Sequence, residues 1–328
     1  MLPNQPSNQQ SNEATERATN QSTDQQSNKS TERPTNDSTH QPVSQLISYL
    51  LFLADNALII GHRNSQWCGH GPVLEQDIAL TNIALDQIGQ ARYFYQYAAE
   101  LTNQLTHQPI IQSTSQPTNQ PTNPSANQPI YQPTNQPTNP STEDTLAYLR
   151  DTRSFKNCLL VEQRNGDWGK TIVRQFLFSA YQFFLYRQLQ NSKDERIAAI
   201  SARSLKETTY HLRWSSEWVI RLGDGTNESH SRMTTALDEL WPYTTELFTP
   251  VDYEKQMWEE GIGANCANLH DEWQQKVQEV FAEAGLSLHN VDSEPGGLSG
   301  KEGIHTEHLG YLLAEMQFLQ RAYPNCNW

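Results

Sequence analysis

Four side chains within apolar, helix-forming segments could ligate metal ions, namely Asp55, Asp86, Glu207 and His211. Helical bundles hold two irons with one carboxylate from each of two helices and a Glu-x-x-His motif from each of the other two. The offset of three residues points both ligands of the motif into the core from adjacent turns. A centre of this kind activates oxygen, and it requires the complete set of ligands.

The chain lacks much of this ligand set. Asp86-Gln-Ile-Gly89 supplies an acid but has glycine where the imidazole is needed. Thr208-Thr-Tyr-His211 keeps the imidazole and lacks the acid, although Glu207 lies about one helical turn before His211. The segment 168–193 contains no Asp or Glu, so it cannot supply a carboxylate. We therefore predict no catalytic, cofactor-binding or metal-ligating residue in this chain.

The remaining candidates suggest a site that has lost its metal. Asp55 lies inside an apolar run, where it could be the single carboxylate of the first helix. We interpret Asp55, Asp86, Glu207 and His211 as a vestigial site, a buried hydrogen-bonded cluster that fills the former cavity, because buried charges need partners. The alternatives are a residual single-metal site and, for Glu207, an exposed charged face.

Four long segments carry the apolar period of a helix and are the elements that would position these residues. They cover about 43–63, 73–101, 168–190 and 194–222. Shorter helical segments are expected near 234–248, 265–285 and 304–322. No run of alternating β-branched residues occurs, so the sequence predicts an all-α fold: a ferritin-like four-helix bundle with additional C-terminal helices.

Two groups of apolar residues on these segments are expected to make contacts. One apolar stripe of the second segment consists of Leu74, Ile78, Leu85 and Ile88. The aromatic residues that we expect to be exposed, in a large interface with another protein, are Phe94, Tyr97, Phe184 and Tyr186.

Two segments are rich in Ser, Thr, Asn, Gln and Pro. Residues 1–42 repeat with a period of eight, and residues 103–142 contain no Asp, Glu, Lys or Arg. Such segments cannot bury enough apolar surface to offset the entropy of ordering them. The predicted domain organisation is a disordered tail over 1–42 and a helical domain over 43–328 that is interrupted by a disordered insert over 103–142.

Charge and cysteine content exclude several classes of function. The net charge of −14 argues against a nucleic-acid-binding protein. The four cysteines form no Cys-x-x-Cys motif, so neither a disulfide framework nor a zinc site is indicated, which suits the reducing cytoplasm. The most apolar segment, 46–60, contains Asp55 and is shorter than a bilayer span, so we interpret it as a core helix rather than a membrane helix.

Histidines also occur in two turns. We interpret Trp67-Cys-Gly-His70 as a tight connection with a buried Cys68 and a hydrogen-bonded His70. His305-Thr-Glu-His308 is interpreted as a helix start that is capped by Thr306 or a neighbour. Metal binding is the less favoured interpretation of both turns.

Several long motifs resemble the PaaC family, the structural subunits of the phenylacetyl-CoA 1,2-epoxidase complex, which is also called phenylacetate-CoA oxygenase. The matching segments are Ser65-Gln-Trp-Cys-Gly-His-Gly-Pro, Asp77 to Arg92, Leu159-Leu-Val-Glu-Gln, Lys206 to Arg213 and His305 to Arg321. The resemblance covers nearly all of 43–328 except the insert. The tail and the insert are departures from the family pattern.

The resemblance implies a ferritin-like, non-catalytic structural subunit of a multicomponent monooxygenase in aerobic phenylacetate degradation. In that family a homologous subunit holds the di-iron centre and the CoA thioester, and it would be the main partner of this chain. A small bridging subunit and a reductase would complete the complex, with no nucleic acid and no membrane as partners. The alternatives are an independent ferritin-like metalloenzyme with a degenerate metal site and an interaction protein built on the polar segments.

Overall fold

The computed structural model of the chain describes residues 40–106, 140–287 and 298–324, together with residue 326. The predicted disordered tail therefore lies almost entirely outside the described residues, as does the greater part of the predicted insert. The first four residues of that insert are helical, because the second bundle helix continues to Thr106.

Helices make up the fold, as the sequence predicts. In chain order they are α1 (His40–Ser65), α2 (Leu74–Thr106), α3 (Glu143–Tyr148), α4 (Leu159–Glu162), α5 (Trp168–Leu189), α6 (Glu195–Gly223), α7 (Asn227–Leu240), α8 (Thr245–Phe248), α9 (Asp252–Glu259), α10 (Cys266–Glu283), α11 (Glu307–Met316) and α12 (Phe318–Ala322). Short 3-10 turns cover Thr152–Ser154, Trp241–Thr244 and Gly300–Glu302. The described ranges contain no β-strand, only an isolated bridge between Ser299 and Ile304.

The four long helices α1, α2, α5 and α6 form the bundle. Helix α1 packs along α2 and α5 packs along α6, and each pair is joined by a short connection. The connection from α2 to α5 is long, as a ferritin-like bundle requires. These four helices agree with the predicted segments to within a few residues, and together with the further C-terminal helices they confirm the predicted fold class.

Local sequence sets the ends of α5 and α6. The carboxylate of Asp167 accepts a hydrogen bond from Lys170 N at 2.9 Å and caps α5. Asp194 caps α6 in the same way through the backbone N–H of Ile197. At the other end of α6, a Cβ on Gly223 would lie 2.6 Å from the carbonyl oxygen of Ala284, so the close approach of the α10 terminus requires glycine there.

Helix α1 supplies much of the core. It is the one helix of the described ranges that is long and apolar enough to cross a membrane, judged by length and composition alone. Most of that stretch is nevertheless buried within the bundle, including Leu50, Phe52 and Ile59, which have no exposed surface. The structure thus places this segment as a core helix of the bundle, in agreement with the sequence-based interpretation.

The structure corrects both predicted contact groups. Phe94, Phe184 and Tyr186 are buried in the core and Tyr97 is half-buried against it, so the expectation that they are exposed is wrong. Three residues of the stripe on α2 face outward, with Leu74 71% exposed, Ile78 52% and Leu85 62%, whereas Ile88 is half-buried beside Gly61 of α1. The helical period shows which residues share a face but does not fix which face is inward, and the buried face of α2 consists mainly of Ala79, Leu80, Ile83 and residues at the same helical spacing.

The C-terminal helices surround the bundle. Helices α7 and α10 pack on α5, and α9 packs on α1. The last segment, 298–324, contains α11 and α12 and packs against α4 and the 3-10 turn Thr152–Ser154. Helices α3, α4 and α9 were not anticipated, because they are too short to show a clear apolar period.

Candidate functional site

A row of buried polar side chains follows one face of α5, inside the bundle. Its members, at steps of four, four, three and four residues, are Thr171, Gln175, Ser179, Gln182 and Tyr186. This spacing keeps all five on the same side of the helix. We call them the polar row. Hydrogen bonds with Asn64 of α1, with Trp67 just after α1, with glutamines of α2 and within the row itself satisfy these side chains, as buried polar groups require.

Gln182, a member of the row, forms a hydrogen-bonded pair with Gln87 of α2. Gln87 on α2 donates from Nε2 to Oε1 of Gln182 at 2.6 Å, and Gln182 donates back from Nε2 to Oε1 of Gln87 at 3.1 Å. Both residues are buried. Each amide supplies a donor and an acceptor to the other, so the pair carries no net charge.

His211 on α6 borders this amide pair and is also fully buried. Its Nδ1 lies 3.4 Å from Gln87 Nε2, and its Nε2 lies 3.0 Å from Oδ2 of Asp86. The Asp86 side chain is partly exposed, so it links the buried imidazole to the surface. With a proton on Nε2, the ring donates to Asp86 and its Nδ1 accepts from Gln87.

Glu207 joins the row indirectly. The Tyr186 hydroxyl lies 3.3 Å from Gln182 Nε2 and donates to Oε1 of Gln90 at 3.2 Å, and Gln90 donates to Oε2 of Glu207 at 3.0 Å. Burial raises the pKa of Tyr186 above its ordinary value, so the phenol stays protonated and available as a donor. The predicted residues Asp86, Glu207 and His211 are therefore joined through glutamines and a tyrosine.

Asp55 belongs to a different network. It pairs with Arg150 and accepts from the Tyr95 hydroxyl, and Lys156 N donates to its Oδ2 at 2.7 Å. Burial raises the pKa of Tyr95, and the charge of Asp55 raises it further. Because these partners occupy both of its oxygens, Asp55 is fixed outside the polar row. The predicted grouping of Asp55 with the other three residues is not what the structure has.

The side chains in and around the polar row do not match the ligand set that a pair of irons requires. The positions three residues apart that reach it from α2 are Gln87 and Gln90, whereas the sequence suggested Asp86 and Gly89. On α6 the corresponding buried pair is Thr208 and His211. Amides and hydroxyls stand where carboxylates would be needed to neutralise two cations. Within the described ranges, no three or more His, Cys, Asp and Glu side chains come together in a group that could hold a metal ion.

The glutamines of the row were missed from the sequence. Gln87, Gln90 and Gln182 interrupt apolar periods at positions that face the bundle interior, and that interruption was the available signal. A rule that searches only for carboxylates and histidines passes over them, because it asks which residues could ligate rather than which polar residues are buried.

The two histidine turns have structural roles in the described chain. His70 Nδ1 lies 3.1 Å from the carbonyl oxygen of Cys68, so the predicted hydrogen bond is present. Cys68 itself is exposed, which corrects the expectation that it is buried. Thr306 occupies the N-cap position of α11, but its hydroxyl donates to Glu162 instead of accepting from the first turn of the helix.

Two comparisons with known proteins bear on this arrangement. The family model described as "Phenylacetic acid catabolic protein" matches residues 23–328. The chain is also 41% identical, over 287 residues, to the C subunit of the 1,2-phenylacetyl-CoA epoxidase of Escherichia coli (strain K12), an alignment that covers 87% of this chain and 100% of that protein. A match of this length shows the family: the chain belongs to the phenylacetic acid catabolic proteins.

Proposed function

We propose that this chain is a non-catalytic structural subunit of a multicomponent phenylacetyl-CoA ring 1,2-epoxidase, acting in the cytoplasm in aerobic phenylacetate catabolism. Its main partner would be a di-iron catalytic subunit, and a small bridging subunit and a reductase would complete the complex. The similarity to the Escherichia coli epoxidase protein over that protein's whole length supports this assignment. The chain itself would need no cofactor.

The observation that carries the proposal is the amide pair of Gln87 and Gln182 at the centre of the bundle. Carboxylates at these positions would repel each other unless a cation lay between them. Neutral amides that satisfy each other need no cation between them. A bundle of this kind keeps the shape of a metal-binding subunit and can pack beside one.

The outward-facing stripe on α2 is the surface that we assign to the catalytic subunit. Leu74, Ile78 and Leu85 are separated by four and seven residues and are all exposed. Spacings of three, four and seven are typical of helices that pack against other helices by interdigitating side chains. An exposed apolar row of this length is a common mark of a protein interface. We infer that the catalytic subunit places one of its helices over the stripe.

Co-expression tests the proposal. The catalytic subunit would be produced alone and together with this chain, and its soluble yield, iron content and epoxidation of phenylacetyl-CoA compared. We expect all three to depend on this chain, because the stripe and its partner face are both covered only in the complex. Equal yield and activity without this chain would contradict the proposal.

Metal analysis of the chain purified without partners is the complementary test. We expect no stoichiometric iron, because the polar row offers amides and hydroxyls in place of carboxylates. Two irons per chain together with oxygen-dependent turnover would instead establish an independent metalloenzyme.

A further inference from the structure

The segment 298–306 inserts a lysine into the protein interior. Lys301 is fully buried, and its Nζ lies 3.1 and 3.0 Å from the two carboxylate oxygens of Glu254 on α9. Nζ also donates to the carbonyl oxygens of Leu247 and Thr249. The Lys301 backbone N–H donates to Glu246 at 3.2 Å. The segment is thus fixed to the end of α8 and to α9 by a buried charge pair.

A histidine of the same segment pairs with a second buried carboxylate. His305 Nδ1 lies 2.8 Å from Oε2 of Glu162 on α4, and its Nε2 lies 3.0 Å from the carbonyl oxygen of Phe155. A backbone carbonyl oxygen and an ionised carboxylate can only accept hydrogen bonds. A neutral imidazole has one N–H and would leave the other nitrogen facing an acceptor. With Glu162 ionised, both nitrogens therefore carry protons and the ring is an imidazolium.

Glu162 depends on this segment for most of its hydrogen bonds. Besides His305, its side chain accepts from Thr306 N and Thr306 Oγ1, each at 2.7 Å, and from Asn157 at 2.9 Å. Arg63 binds the backbone carbonyl oxygen of Glu162 and not its carboxylate. Only the hydrogen bond from Asn157 comes from outside the segment, so the segment supplies most of the donors that the buried carboxylate requires.

We propose that His305 and Lys301 form a two-cation clasp that fastens the C-terminal helices α11 and α12 to α4 and α9, which pack on bundle helix α1, and that loss of the His305 proton opens it. The clasp does not depend on the proposed function of the chain. Of its two cations only the imidazolium can lose its proton near neutral pH, so His305 makes the attachment sensitive to pH.

The charges around the clasp favour the imidazolium. Burial lowers the pKa of His305, but the hydrogen bond and charge of Glu162 and the carbonyl oxygen of Phe155 outweigh burial and raise the pKa above its ordinary value of 6.5. Asp55 acts in the same direction. The further titratable or charged groups that interact with Glu162 are Arg63, Tyr243, Glu246 and His308.

The direction of the pH effect follows from that shift. A group whose pKa is raised by folding stabilises the folded form fully below its unfolded pKa, and this contribution disappears as the pH rises through the folded pKa. The clasp is therefore closed at pH 6 and opens as the pH rises above the raised pKa of His305. For Lys301, burial lowers the pKa but Glu254 outweighs burial and raises it above its ordinary value of 10.5, so Lys301 stays charged throughout.

Hydrogen exchange on the full-length chain between about pH 6 and pH 9.5 tests the clasp. Protection factors of the α11 amides, corrected for the intrinsic effect of pH, should fall about tenfold as the clasp opens, the size expected when one charge-assisted hydrogen bond is lost. Amides of α5 in the same sample should keep their protection. Unchanged protection of α11 over this range would overturn the proposal.

Two variants and one spectrum separate the clasp from general loosening. His305→Gln should abolish the pH dependence at α11, and the matched control His308→Gln, in the first turn of the same helix, should keep it. Nitrogen NMR of the histidine-labelled wild-type chain needs no variant, and it should show two N–H groups on His305 at pH 6. A single N–H on that ring would refute the clasp even if His305→Gln did not fold.

Discussion

The bundle core and the C-terminal attachment solve the problem of buried polar groups in opposite ways. Inside the bundle, the amides of Gln87 and Gln182 satisfy each other without charge. At the attachment, Glu254 and Glu162 are buried carboxylates that are neutralised by Lys301 and His305. Buried ion pairs add little stability over well-packed apolar groups, but removing one partner is costly. The charges thus lie where distant segments must be joined in one arrangement.

The two regions should also differ in how much stability is lost when a buried polar group loses its partner. A glutamine that loses its partner leaves a neutral amide, which costs a modest free energy. A buried carboxylate that loses its partner leaves an uncompensated charge, which costs much more. Substitutions in the two regions should therefore differ in size, and the difference is measurable on the isolated chain.

The largest effect is expected at the attachment. Lys301→Met keeps much of the side-chain volume and leaves Glu254 buried without its cation, so the free energy of unfolding should fall by about 3–5 kcal/mol. Urea unfolding measures this change. Lys255→Met is the matched control, because the Lys255–Asp252 pair is exposed, and it should change the free energy of unfolding by less than about 0.5 kcal/mol. Equal effects of both variants would show that the buried pair contributes no more to the free energy of unfolding than the exposed pair does.

The second-largest effect is expected when two substitutions introduce charge into the bundle core. The double variant Gln87→Glu, Gln182→Glu places two carboxylates beside Nδ1 of His211, and it should bind a divalent cation that the wild type does not. Cobalt(II) at about a hundred times its dissociation constant should stabilise the variant by about 2.7 kcal/mol. Unfolding with and without cobalt, together with cobalt absorption spectra, measures this gain.

The wild-type chain is the control for that experiment. If the double variant gains neither stability nor a cobalt spectrum, the amides are not what prevents metal binding. The bundle core would then differ from the attachment in its shape as well as in its charge.

A smaller effect is expected from breaking the amide pair. Gln182→Leu removes the main partner of the Gln87 amide, which should lower the free energy of unfolding by about 2 kcal/mol. The double variant Gln87→Leu, Gln182→Leu removes both polar groups and should recover most of that loss, because no buried donor remains unpaired. A double variant that is less stable than Gln182→Leu would mean that His211 and Tyr186 depend on the pair.

The long helices could be predicted from the sequence because twenty or more residues repeat one apolar period. The networks could not, because their partners are far apart along the chain. Asp55 finds Arg150 and the backbone of Lys156, which are 95 and 101 residues away. Nothing in the local pattern around Asp55 marks those partners, so the sequence pattern groups it with acids on neighbouring helices.

Register and direction were the other limits. A search for the acid of a Glu-x-x-His motif selects Asp86 and therefore the register Asp86–Gly89 on α2. The residues that face the polar row are instead Gln87 and Gln90, one position later. A helical period also fixes which residues share a face without fixing which face is inward. For α2 the aliphatic Leu80 and Ile83 are buried whereas the aliphatic Leu85 is exposed, so residue type alone does not show which face is inward.

The smallest effect on the chain itself is expected at the exposed stripe of α2. Leu85 is 62% exposed, so Leu85→Asp should change the free energy of unfolding of the isolated chain by no more than about 0.5 kcal/mol. Binding to the proposed catalytic partner should nevertheless weaken at least about a hundredfold, because the proposed complex would bury an unpaired carboxylate. Titration calorimetry compares the variant and the wild-type chain against the same partner.

Leu319→Asp provides the matched control for this surface. It makes the same change on α12, where Leu319 is 47% exposed, and it should leave binding of the catalytic subunit unchanged. If Leu319→Asp weakened binding and Leu85→Asp did not, the partner would cover the C-terminal helices instead of the bundle. The stripe would then have to be explained by another contact, because the partner would not cover α2.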